Sequence, residues 1–281
     1  MGEGLIIDNI SYRYHNLEGE TLAIKDLSFH VKESEFVAIV GPSGCGKSTL
    51  LSLIAGLIEP DSGGIYISNE TKSLSNEVSI DSLDRTDYGN YRLNKKDLKL
   101  AGKNIGYMLQ KDQLLEWRST LGNVTLGLEI QNKLSDHSYV VINNMLTTYG
   151  LISFENSKPS ELSGGMRQRV ALIRTLLLEP DILLLDEPFS SLDYQTRLEV
   201  ADDIWKIIRK EKKTAILVTH DISEAVSMAD RIIVLTGRPA KVKKIIDVNL
   251  SIEDKTPFRA RSAPEFKDYF NLIWKELDHN E

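Results

Sequence analysis

The sequence predicts an α/β fold: a parallel sheet with crossover helices, preceded by a small antiparallel β subdomain and interrupted by an inserted α-helical subdomain. The stretches "EFVAIV", "DILLLDEP", "TAILVTH" and "RIIVLTG" are short, mostly apolar runs separated by helix-length segments, the rhythm of strands buried on both faces. The opening "LIIDNISYRY", followed by "LSFHV", alternates apolar and polar residues as half-buried antiparallel strands do. Between Lys111 and Pro159 strand signals vanish, and Val140, Val141, Met145, Leu146 and Tyr149 recur at helical spacing ahead of Gly150.

In chain order, the apolar run from Glu35 to Val40 ends in a glycine-rich turn, after which "KSTLLSLIAG" has helical spacing and a glycine stop at Gly56. Residues Asn69 to Lys103 are polar, lack a period and read as a surface excursion to which no function is assigned. The helical insertion is expected over about 111–167. Pro264 opens a terminal helix whose Phe266, Phe270, Ile273 and Leu277 share one stripe. The expected division is a main domain over 1–245 and a C-terminal extension over 246–281. No internal repeat is evident.

With 281 residues, 41% hydrophobic and 27% charged, the composition is that of an ordinary folded globular chain. A formal net charge of -7 and a pI near 5.4 disfavour general attraction to nucleic acid or anionic lipid. The single cysteine, Cys45, can form no internal disulfide, which points to a reducing compartment. No basic segment leading into an apolar run opens the sequence, and "VALIRTLLL" is too short and too interrupted by Arg174 to span a bilayer. A membrane role is therefore expected to run through a partner.

The sharpest motif is "GPSGCGKS", Gly41-Pro42-Ser43-Gly44-Cys45-Gly46-Lys47-Ser48, which fits G-x-x-x-x-G-K-[ST] between a buried strand and a helix start. The bare pattern arises by chance in roughly one in a hundred chains of this length. Its chemistry is a phosphate cradle of backbone N–H groups, which glycines allow to approach closely. Lys47 supplies a point charge to the β- and γ-phosphates, Ser48 offers a hydroxyl to Mg²⁺, and Thr49 holds the loop or the α-phosphate. A merely structural glycine turn leaves Lys47 unexplained. Small size at a cramped turn is the preferred reason for Cys45, with redox chemistry the alternative.

In "ILLLDEP", Asp186 and Glu187 close a buried strand, where α/β sheets place their ligands. Two adjacent carboxylates are costly there without a cation. Asp186 would join the Mg²⁺ shell and Glu187 would polarise the water attacking the γ-phosphate. Helix capping by Asp186 is the structural alternative, but it does not explain both acids.

The third element is "LSGGM", Leu162 to Met166, ahead of a helix through "RQRVALIRTLLL". Alone it reads as a serine helix cap. With the glycine-rich loop and the "DEP" strand in order, it resembles the signature motif of the ABC ATPase family. That resemblance covers nearly the whole sequence and implies a P-loop NTPase fold, ATP and Mg²⁺ as cofactors, and ATP hydrolysis coupled to transport. It adds Gln110 after "IGYML", Asp193 in "SSLD" and His220 after "TAILV". The resemblance implies that Gln110 contacts Mg²⁺ and the lytic water, that Asp193 bridges two active sites, and that His220 touches the γ-phosphate. It further implies that Ser163, Gly164 and Gly165 complete the ATP site of an opposite subunit, a second copy or a sibling cassette. An aromatic residue near the start is expected to stack on adenine, and Tyr14 matches that position better than Tyr12.

The segment "KDQLLEWRSTLGNV" after Gln110 is similar to the "LLPW" segment of importers of nitrate, sulfonates and taurine, and "TGRPAKVKKIIDVNL" with "PEFKDYFNLIWKEL" is similar to that subgroup's ending. Glu116 stands where the subgroup has proline, which alters the surface offered to a membrane subunit. The excursion before Gln110 is also longer than the subgroup's. Trp117 is the telling residue, with simple core packing as its alternative reading. The resemblance implies a transmembrane permease partner, an extracytoplasmic solute-binding protein reached indirectly, and a peripheral place on the cytoplasmic side of the membrane. An ABC exporter, or a non-transport ATPase acting on DNA or the ribosome, are the competing readings.

Overall fold

The computed structural model describes residues 3–16, 19–67, 91–92 and 105–278. Strands β1 (Glu3–Asn16), β2 (Gly19–Lys32) and β3 (Phe36–Val40) lead into helix α1 (Lys47–Ile54). Strands β4 (Ser62–Ile67), β5 (Tyr91–Arg92) and β6 (Ile105–Met108) follow. Helices α2 (Thr120–Ile130), α3 (Asp136–Thr148) and α4 (Gly164–Leu176) come next. Then β7 (Ile182–Asp186), α5 (Tyr194–Lys210), β8 (Thr214–Val218), α6 (Ile222–Met228) and β9 (Arg231–Leu235) alternate. Strand β10 (Val242–Asp247), the short α7 (Pro257–Ala260) and the terminal α8 (Phe266–Asp278) complete the order.

Two sheets result. An antiparallel sheet runs β2-β1-β4-β5, and a six-stranded sheet runs β10-β9-β3-β8-β7-β6, parallel except for the edge strand β10. The expected α/β fold with an antiparallel β subdomain and a helical insertion is the fold observed. Each central strand is buried on both faces, and alternate residues enter opposite cores, as the pleat requires. Val37 and Ile39 join a core shared with α1 and the antiparallel sheet, whereas Phe36, Ala38 and Val40 join the core beneath α2 to α6 and α8.

The helical insertion follows β6 and is anchored by Asn123, which is fully buried. Its carboxamide accepts from the Leu115 N–H at 2.7 Å and donates to the carbonyls of Leu115, Arg118 and Ser119, so the chain from 115 to 119 is held against α2. A buried amide satisfied on both ends tolerates burial that a lone polar group would not. In α3 the inward residues are Ile142 and Leu146, with Met145 and Tyr149 packed beside them. The expected Val140 and Val141 instead stand exposed. The i, i+3, i+4, i+7 stripe starts at Ile142, and a rim helix needs only that narrow face.

Helices α2 to α7 each begin with a Ser, Asp or Thr side chain accepting a first-turn N–H; α1 begins at Gly46 with no side-chain cap. Its first N–H groups are thereby left for a ligand. The polar segment 69–103 lies outside the described residues except for Tyr91–Arg92, which extends the antiparallel sheet. The terminal helix packs as expected: Ile273 is fully buried, with Phe266, Phe270 and Leu277 against the same core. Replacing Ile273 by Ala should lower the unfolding free energy by about 2–5 kcal/mol. Trp274→Ala, at a residue 55% exposed, should cost about 1 kcal/mol or less, both measured by urea denaturation.

Candidate functional site

All five parallel strands deliver a functional segment at their carboxyl ends, the place where open α/β sheets hold ligands. Strand β3 feeds the loop from Gly41, β6 leads to Gln110, β7 ends on Asp186 and Glu187, β8 leads to His220, and β9 leads to Arg238. They meet around a cleft of about 580 Å³ lined by Ser43, Gly44, Gly46, Lys47, Ser48, Thr49, Gln110, Glu187, His220 and Arg238. A larger open cleft of about 870 Å³ lies between α5 and residues 253–259, where Asp202 pairs with Lys206 and Asp254 with Arg259.

The glycine-rich loop has the conformation a phosphate cradle needs. Gly44 and Gly46 take φ values of 71° and 126°, which disfavour any side chain. A Cβ on Gly41 would lie 3.0 Å from Cys45 Sγ, so residue 45 must be small. Burial holds the Cys45 thiol above its ordinary pKa, the opposite of a redox-active thiolate, and the packing reading of this residue is the one supported. Lys47 is 7% exposed, and its ammonium donates to the carbonyls of Gly41 at 2.8 Å and Pro42 at 2.9 Å. Tyr14 shares a 2.9 Å hydroxyl contact with Thr49 while its ring remains exposed beside the loop. Tyr12 packs edge-on against it and toward the core, in keeping with the sequence distinction between the two.

Opposite the loop, the Ser48 hydroxyl donates to Asp186 Oδ1 at 3.2 Å and the Tyr107 hydroxyl points at Oδ2 at 3.4 Å. Asp186 therefore does not cap a helix; Asp193 caps α5 instead, accepting from the Thr196 N–H. Burial raises the Asp186 pKa, the Ser48 bond opposes the rise, and the charge of Glu187 adds to it. Burial and the Asp186 charge push the Tyr107 phenol up to about 12, so it stays a donor. Glu187 sits at φ 44°, a left-handed backbone that costs a non-glycine residue about 1–3 kcal/mol. The surroundings hold it there: its N–H donates to Val218 O, and Ser190 Oγ donates to its carbonyl. Its Oε2 accepts from Gln110 Nε2 at 3.2 Å and lies 3.1 Å from His220 Nδ1.

Ser163, Gly164, Gly165 and Asp193 are not among the residues lining this cleft. Ser163 caps α4 through the Met166 N–H, and a Cβ on Gly165 would stand 2.8 Å from Thr196 Cγ2. Sequence reasoning missed Tyr107 and Arg238. The only signal for Tyr107 was a phenol inside the apolar "IGYM"; Arg238 stood within "TGRPAKVKKIIDVNL", quoted for its likeness to the importer ending, but nothing there tied it to the loop 194 positions away.

A loop of backbone donors at an uncapped helix start, a buried lysine and a buried carboxylate beside a serine hydroxyl are the elements a nucleotide-phosphate site needs. The ABC transporter family model matches residues 24–190 of the 281. This chain is an ABC transporter ATP-binding subunit. It is 40% identical over 274 residues to the uncharacterized ABC transporter ATP-binding protein YtlC of Bacillus subtilis, covering 98% of this chain and 95% of that one. It is 36% identical over 263 residues to the aliphatic sulfonates import ATP-binding protein SsuB of Bacillus licheniformis, covering 93% and 89%. To the nitrate import ATP-binding protein NrtD of Synechocystis sp. it is 34% identical over 273 residues, covering 96% and 93%. Among solved structures, the dimeric post-hydrolysis state of the ATP-binding cassette MJ0796, bound to ADP and Pi, aligns with a TM-score of 0.68 at 31% identity, covering 87% of this chain and 99% of that one.

The cassette is an ATPase, and its cofactors are ATP and Mg²⁺. The geometry fits the metal. Asp186 is 6% exposed, forms no ion pair among the described residues, and has a hydroxyl beside it. No group of three metal-binding side chains occurs among the described residues, as suits an ion that takes one or two protein ligands and completes its shell with phosphate and water. Asp186→Asn removes a buried carboxylate that is disfavoured in its charged form. The nucleotide-free protein should melt at the same or a higher temperature, while the extra stabilisation by MgATP over ATP with EDTA should vanish in differential scanning fluorimetry.

Proposed function

We propose that two cassettes close over shared ATP, the loop from Gly41 to Thr49 of one facing Ser163, Gly164 and Gly165 of the other, and drive a membrane permease that imports a small solute. The observation that carries the reading is the half-site. The cleft assembles the glycine-rich loop, Gln110, Glu187 and His220, whereas Ser163 and Asp193 lie outside it. A helix N-terminus such as that of α4, presented by a second copy, supplies the missing donors to the γ-phosphate. Support comes from MJ0796, whose cassette is dimeric.

The roles follow from position. Lys47 and the loop N–H groups hold the β- and γ-phosphates, and Tyr14, exposed beside Thr49, stacks on the base. Gly41, Pro42, Ser43, Gly44, Cys45 and Gly46 shape the cradle. Ser48 and Asp186, with Gln110, are the residues that would hold Mg²⁺, which neutralises charge on the phosphate oxygens when bound. Glu187 accepts the proton of the attacking water, with its carboxylate aimed by Gln110 and His220. His220 then contacts the γ-phosphate, and Asp193 joins the two sites.

The importer reading rests on SsuB and NrtD and on the "KDQLLEW" segment. Trp117 is 75% exposed, so core packing does not explain it, and the Asn123 clamp fixes the segment that carries it. Its exposed indole is an apolar group available to a membrane subunit. The solute is of the nitrate, sulfonate or taurine type, delivered to the permease by an extracytoplasmic binding protein. No described helix is long and apolar enough to cross a membrane, and the permease would hold the cassette at the cytoplasmic face. The ATPase domain is placed at 1–245, with the helical subdomain at about 111–167, and an extension at 246–281; the edge strand β10 carries the main sheet two residues past the first boundary, to Asp247, and α4 runs past 167 to Leu176.

Glu187→Gln should lower the ATPase rate by about 10²–10⁴-fold, retain ATP binding and accumulate a stable dimer on size exclusion. Undiminished turnover would overturn the assignment of the base. Adding Ser163→Arg to that chain should abolish the ATP-induced dimer, while a one-to-one mixture of Glu187→Gln with the double variant restores at most one closed site; persistent closure of the double variant would refute completion in trans. Purifying the cassette with its permease and screening nitrate, sulfonates and taurine for stimulation of ATP hydrolysis tests the solute class.

A further inference from the structure

We infer that Arg238 is a second cation of the phosphate cradle, a positioning residue that fixes the glycine-rich loop from the turn after β9. The inference rests on the proposed nucleotide site. Arg238 Nη2 donates to the Gly44 carbonyl at 2.7 Å, and the side chain lines the same cleft as Lys47, Ser48 and Glu187. A carbonyl occupied by a guanidinium has its partial negative charge offset, so it repels a nearby phosphate less, and the bond fixes the loop at Gly44.

The charge balance around the loop points the same way. Eight described arginines, among them Arg118, Arg169, Arg209 and Arg231, pair with carboxylates. Arg238 and Lys47 form no ion pair among the described residues, and both donate to carbonyls of the loop itself. Two cations bonded to backbone carbonyls rather than ion-paired converge on one loop of a chain whose net charge is -7. A polyphosphate would give both an anionic partner at close range. Their fields both reach the Cys45 thiol, opposing its burial.

The turn that carries Arg238 is rigid before any ligand arrives. Thr236 N–H donates to Lys241 O, Lys241 N–H donates to Thr236 Oγ1, and that hydroxyl faces the Gly237 and Pro239 carbonyls. Ala240 exchanges hydrogen bonds with β2, donating to Ala23 O and accepting from Lys25 N–H. A Cβ on Gly46 would meet Ala23 O at 3.2 Å and Ala240 Cβ at 3.6 Å, so the turn is packed against the loop it braces. A guanidinium presented from such a frame loses little freedom on contact with an anion.

Arg238 is exposed, so its substitution spares the core. In the full-length protein, Arg238→Ala should weaken ADP binding in titration calorimetry and raise the KM for ATP by about tenfold each, with the loss falling on KM rather than kcat. Arg238→Lys should recover part of it, because one donor and the charge remain. Wild-type ADP affinity and KM in Arg238→Ala, or a fall confined to kcat, would overturn the inference. Lys47→Ala runs in parallel. If it abolishes ADP binding while Arg238→Ala does not weaken it, the Arg238 inference alone fails; if Lys47→Ala binds ADP as the wild type does, the nucleotide-site reading fails instead.

Discussion

A polyphosphate must be held by backbone N–H groups that nothing else in the protein has claimed, and the rest of this cassette is arranged around that requirement. Helix α1 is the one among α1 to α7 that starts without a side-chain cap. Its donors stay free because the preceding loop turns through Gly44 and Gly46 in conformations closed to other residues, over a cysteine small enough to sit beneath Gly41. The parallel sheet then gathers the remaining chemistry. Strands that point the same way end on the same side, so five carboxyl ends bring lysine, serine, two acids, a glutamine, a histidine and an arginine around one cleft.

Around that cleft the buried charges rest on polar neighbours rather than on close ion pairs with each other. Lys47 is buried on backbone carbonyls, and Asp186 is buried on hydroxyls from Ser48 and Tyr107. Burying such ions is costly, and in the proposed site a nucleotide with its metal would offset that cost, with anionic oxygens facing the lysine and a cation facing the aspartate. The strained backbone at Glu187 belongs to the same logic. Hydrogen bonds from its flanks hold a conformation that local preference resists, and the strain sets the carboxylate between Gln110 and His220.

The fold also keeps two capped helix starts away from the cleft, as the proposed dimer requires. Ser163 and Asp193 cap their own helices, which fixes two loops in shape without bringing them to the cleft. Their glycines are explained by close packing, with Gly164 against Leu192 and Gly165 against Thr196. Such preorganised ends are suited to meeting a second copy. Trp117 stands exposed on a segment that a fully buried asparagine ties down on either side, as the proposed permease contact requires.

The amino-acid sequence alone determined the fold class, the glycine-rich loop, the acid pair and most of the cleft residues, because each is a local pattern: a strand, a turn or a helix start declared within a dozen positions. It also placed the terminal helix stripe correctly, since burial there follows the 3.6-residue period. The tertiary structure decided what depends on contacts between distant segments. Which face of α3 turns inward was one example, as neighbours and not the valines set it. That Asp186 answers to Ser48 and Tyr107, 138 and 79 positions away, was another. Arg238 became visible only when strand β9 came to lie beside β3, because a hydrogen bond across 194 residues has no signature in composition or spacing.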